Sequence, residues 1–80
     1  MDKSTYENYL LDLGMLLKED ALAAKEAIDT LINHEERIHE LGRVLAYYEV
    51  ISLMQQQAMS FGIPLNLIGL EDFDPERKLL

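Results

Sequence analysis

Residues 4–61 contain no proline, and only Gly14 and Gly42 interrupt them. No other feature narrows the fold so far. Nothing in the run removes a backbone donor and little in it favours a left-handed residue, so it can stay helical throughout. Ser4-Thr5-Tyr6-Glu7 has the spacing of a capping box, in which the Ser4 hydroxyl accepts from the Glu7 amide and Glu7 reaches back. Gly62, Ile63 and Pro64 close the run, glycine for a left-handed turn and proline because it cannot continue a helix. A single helix of this length would span about 85 Å at 1.5 Å per residue. A small chain is expected to fold back instead. The turn is placed near residues 30–36, where Asn33 offers a cap and Glu36 stands three residues on. A second candidate is residues 18–20, with Asp20 as cap.

Apolar spacing then assigns faces. Tyr6, Leu10, Leu13, Leu17, Ala21, Ala24, Ile28 and Leu31 recur at three- and four-residue steps, a heptad-like seam in which the alanines allow close approach of a partner helix. Leu11, Met15 and Leu22 form a second line, so the first helix is expected to meet more than one neighbour. In the second helix Ile38, Leu41 and Leu45 set the expected core direction. Beyond Val44 the apolar residues run most of the way round, which marks residues 47–61 as a segment enclosed by other helices.

The remaining residues, 63–80, read as an ordered arm. The apolar stretch IPLNLIGL holds Pro64 and Gly69 and is expected to lie extended over the helices. Asp74-Pro75-Glu76 reads as the start of a short terminal helix, with Asp74 as cap and Pro75 at the first helical position. Phe73 and Leu79 are expected to dock. The expected organisation is thus a helical hairpin over residues 1–62 and a packed arm over 63–80.

A single chain of 80 residues has difficulty hiding this much apolar surface. Ordering it costs roughly 1.5 kcal/mol per residue, so one small core leaves little margin. There is no cysteine, which removes disulfides, thiolate metal sites and thiol redox chemistry. Self-association is the expected remedy. The fold expected is all-α, two long antiparallel helices with an ordered C-terminal arm, dimerising as a four-helix bundle. In shape this resembles the Rop-like helical-hairpin dimers. The expected interface comprises Leu11, Met15, Leu22, Tyr47, Val50, Ile51, Met54 and Phe61.

Charge and chemistry exclude more than they select. Fifteen acids against seven bases give a net charge of −8, spread along the chain, and no basic stripe exists to displace counterions from a phosphate backbone. Nucleic acid is not an expected partner, and neither is a membrane, since no run approaches the ~20 apolar residues of a span. Met1-Asp2-Lys3-Ser4 lacks the apolar core of a signal peptide, so a cytoplasmic location is expected. Glu36 and His39 have the Glu-x-x-His spacing of carboxylate-bridged di-metal helices. On the wheel set by Ile38, Leu41 and Leu45 they point away from the core, with Arg43 between them, so the pair reads as a solvated charge network. No catalytic residue and no cofactor is expected: there is no phosphate loop, no nucleophile with a readable partner and no His-Glu-x-x-His. The function expected is a non-catalytic homo-oligomeric module for structural or regulatory protein interaction. Two alternatives stand beside it, a small acidic inhibitor of another protein and a His/carboxylate metal-binding bundle.

Overall fold

The computed structural model describes residues 3–80 and places them in two long helices, a single 3₁₀ turn and a short terminal helix, with no strand among the described residues. Helix α1 is Lys3–Ile28 and α2 is His34–Ser60. They lie antiparallel. No helix among the described residues is long and apolar enough to cross a membrane. Helix α1 is helical from its first described residue, Lys3, and includes Ser4.

The turn occupies residues 29–33, and α1 runs without interruption through the alternative at 18–20. It manages without a C-terminal glycine. The amides of Asp29, Thr30 and Leu31 each donate to the carbonyl three residues back, at 3.2–3.3 Å, and the Thr30 hydroxyl donates to Ala27 O at 2.9 Å. This tightened last turn satisfies carbonyls that would otherwise stand open. Asn33 then caps α2, its Oδ1 accepting from the amides of Glu35 and Glu36 at 2.8 and 3.1 Å. At the other end Gly62, at φ 69°, donates to Met59 O, and Ile63 N donates to Ala58 O at 2.8 Å. Those two bonds make a Schellman cap.

The core differs from the stripe expected of α2. Val44, Ile51 and Ala58 are its buried residues, at seven-residue steps, and they share one core with Ala21, Ala24 and Ile28 of α1. Ile38, Leu41 and Leu45 are instead exposed. The helix is apolar on several sides, and the side that packs carries the smaller side chains, Val44 and Ala58 with Ile51. The seam of α1 is also only partly closed. Ala21, Ala24 and Ile28 are buried, Leu13, Leu17 and Leu31 are half-buried, and Tyr6 and Leu10 are exposed.

The arm supplies the rest of the core. After Pro64 the chain forms a 3₁₀ turn, Leu65–Ile68, rather than an extended segment, and ends in α3, Pro75–Leu79. Asp74 caps α3 with Oδ1 accepting from the Glu76 and Arg77 amides. Ile68, Leu70, Phe73 and Leu79 are all buried. The 3₁₀ turn seats on α1 at Gly14, where the Ile68 carbonyl fills the space a side chain would take. Gly69, at φ 72°, lies against Leu11 O and Met15.

Gln55 fastens the arm to α2. Its Nε2 donates to Leu70 O at 3.3 Å and to Phe73 O at 2.7 Å. Replacing it by glutamate would set a carboxylate against two carbonyl oxygens with no proton between them. Gln55→Glu is expected to cost roughly 1–3 kcal/mol at neutral pH. The folded state raises the new carboxyl's pKa, since only the protonated acid can donate there, so the deficit against wild type should shrink as pH falls through it. Urea titrations of both proteins at pH 7 and pH 4.5 check this; a deficit that is absent, or constant with pH, contradicts the clamp.

Candidate interaction surface

The arm gives the hairpin two unlike faces. Each residue of a helix turns about 100° from the last, so positions just after and just before the core line fall on opposite flanks. On α2, Tyr48 and Met59 lie on one flank and line a depression of 230 Å³ with Asp74, Pro75 and Glu76 of the arm. On α1, Leu11 and Met15 lie on that same side, beneath Gly69. Tyr47, Val50, Met54 and Phe61 lie on the other flank of α2, and Tyr6 and Leu13 turn toward the same side of α1, while Leu10 and Leu17 lie on its core line. Leu10, Met54 and Phe61 meet there around an apolar depression of 170 Å³ with Ala58, Ile63 and Ile68.

The face opposite the arm is therefore open and apolar along half its length. Tyr6, Tyr9, Val50 and Phe61 are exposed, Phe61 to 76%. Toward the turn the same face becomes charged, with Asp20, Glu36, Glu40 and Arg43. Arg43 pairs with Glu40, and its guanidinium stands 5.9 Å from the Tyr47 ring centroid. A hydrogen bond to Tyr47, then the charge of Glu40, raises its pKa above the usual arginine value.

The residues expected at an interface separate into three groups in the fold. Tyr47, Val50, Met54 and Phe61 share the open face. Leu11 and Met15 belong to the arm's side and are partly covered by it, and Leu22 lies on the same flank beyond Gly69. Ile51 has no exposed surface; the chain's own core encloses it, so it is a packing residue and not an interface residue. Of the residues read from the sequence as the seam between the two helices, Leu17 packs against the core, Leu10 borders the apolar depression with Ala58 and Ile68, and Tyr6 and Leu13 turn toward the open face.

Glu36 and His39 are exposed, and with Leu31, Glu35 and Glu40 they line a shallow depression of 360 Å³ beside the turn. The core line through Val44, Ile51 and Ala58 turns Glu36 to about 60° from the core direction rather than facing it away. Among the described residues no three His, Asp or Glu side chains converge to hold a metal ion. His34, the first residue of α2, is exposed.

By fold the chain is an antiparallel helical hairpin with a docked C-terminal arm. No family model, curated protein or solved structure matches it.

Proposed function

We propose that this chain is a non-catalytic protein-interaction module, structural or regulatory, that acts as a homo-oligomer in which two hairpins complete a four-helix bundle. One observation carries the reading. The accessible surface is 5914 Å², whereas a compact monomer of this mass exposes about 4,900 Å². The excess, about 1,000 Å² per chain, is close to the ~800 Å² that each partner contributes to a standard interface. The excess goes with an elongated shape, 47 × 23 × 16 Å, and much of it is apolar.

Light scattering tests the reading. The expected mass at micromolar concentration is twice the 9.2 kDa of the chain, with a thermal midpoint that rises with concentration, as linked association requires. A stable 9.2 kDa species across that range rejects it.

A second reading has one observation behind it. Asp12, Glu19 and Glu26 stand at seven-residue steps on the outer side of α1, all exposed. Such a ridge suits a basic protein surface, as in a small acidic inhibitor. It calls for a neighbouring gene encoding a basic target and a complex with that product that weakens as salt is raised.

A further inference from the structure

We infer that a second copy of this chain docks on the face opposite the arm, antiparallel and offset, so that only the apolar halves of the two faces overlap. This deepens the homo-oligomeric reading and rests on it. The surface is formed by Leu10 and Leu13 of α1 with Val50, Met54 and Phe61 of α2, and the half-buried Leu17 lies behind it. None of the six is ionisable. In a chain of net charge −8, a copy can approach closely only where neither surface brings carboxylates to the contact.

The charge distribution along the face selects the arrangement. Apolar side chains occupy the end away from the turn, and Asp20, Glu36 and Glu40 occupy the end near it. A two-fold axis running along the helices would align the two copies end for end and stack Glu36 and Glu40 on their counterparts. Arg43 already pairs with its own Glu40 and stacks near Tyr47, so it is engaged within its own chain. An axis perpendicular to the helices and passing near Met54 overlays apolar on apolar and sends the two acidic ends outward in opposite directions. Such a contact is isologous, each copy presenting the same patch. The other exposed apolar group, Ile38, Leu41 and Leu45, lies on the arm's side and stays outside the contact.

The absence of cysteine makes this directly measurable. Single cysteines at Gln57, His39 and Leu45 carry spin labels, and each labelled chain is first weighed by light scattering. Helical rise of 1.5 Å per residue places Gln57 near the axis and His39 far from it, so interspin distances of about 20 Å or less at Gln57 and about 40 Å or more at His39 are expected. Should the Gln57 label itself dissociate the pair, a long distance at His39 in the still-paired chain supports the arrangement. Equally short distances at Gln57 and His39 overturn the offset. A dimer with its shortest distance at Leu45 overturns the face while leaving the homo-oligomer standing. A monomeric wild-type chain overturns both.

Discussion

Gly14→Ala is expected to destabilise this protein by about 3 kcal/mol or more, although the same substitution inside an exposed helix ordinarily stabilises by up to about 1 kcal/mol. The reversal comes from the arm. A Cβ on Gly14 would stand 1.6 Å from Ile68 O and 2.8 Å from Ile68 C. Both are backbone atoms, so no flexible tip can swing aside. The 3₁₀ turn cannot simply slide, because Gly69 is itself close against α1: a Cβ there would meet Leu11 O at 2.9 Å and Met15 N at 3.1 Å. To admit one methyl group the turn must lift, and it carries Ile68 and Leu70 out of the core with it. Gly42 gives the matched control. No atom lies within 4 Å of a Cβ at Gly42, so Gly42→Ala should stabilise by roughly 0.5–1 kcal/mol. In thermal melts the two variants should move in opposite directions, Gly14→Ala down by roughly 12–24 °C and Gly42→Ala up by a few degrees. A Gly14→Ala protein as stable as wild type would mean that the arm does not rest on α1 at this point.

The contrast between those glycines shows how far the sequence could be read. Both appeared as interruptions of a helical run, and their roles separate only once residue 68 is brought to residue 14. Local signals were legible wherever the chemistry is local. Asn33 with its following amides, Gly62 before Ile63 and Pro64, and Asp74 before Pro75 all bond within a few residues, and the fold uses each. The turn between the helices was placed less closely, because α1 ends through bonds between backbone groups and a threonine hydroxyl, without a glycine to mark it. Faces were hardest. Ile38, Leu41 and Leu45 make as good a stripe as Val44, Ile51 and Ala58, and hydrophobicity favours the larger side chains. Packing took the line of smaller total volume, a preference that an apolar pattern does not weigh. The same blindness put Ile51 at an interface and Tyr6 and Leu10 inside the seam. Gln55 could be seen to flank an apolar face; that it donates to the backbone of residues 70 and 73 depends on an arm whose course no periodicity encodes.

Leu70→Ala is expected to cost about 3–5 kcal/mol, the upper part of the range for truncating a buried leucine. Leu70 has no exposed surface. It sits between the two devices that hold the arm, with Gly14 close to its Cγ and its own carbonyl accepting from Gln55. A cavity here cannot be filled cheaply. Movement of α1 toward it is opposed by the backbone contact between Gly14 and Ile68, and movement of the arm breaks the Gln55 bonds and uncovers Phe73 and Leu79. Truncating a leucine of the open face offers the comparison. Leu16→Ala removes as many atoms from a side chain that is 49% exposed and lies at the margin of the proposed contact, so it should cost less than about 1 kcal/mol. If the arm were a loosely held peptide, the two truncations would cost the same. If the arm is half of the core, urea titration should show Leu70→Ala unfolding at far lower denaturant with a similar slope, because the whole chain then unfolds as one unit. A separate, earlier transition for the arm alone would contradict that. The distinction also bears on association. An arm that stays seated leaves the opposite face as a free apolar surface, and a substitution that unseats it should expose Ile68, Leu70, Phe73 and Leu79 and send the chain into larger, less regular aggregates.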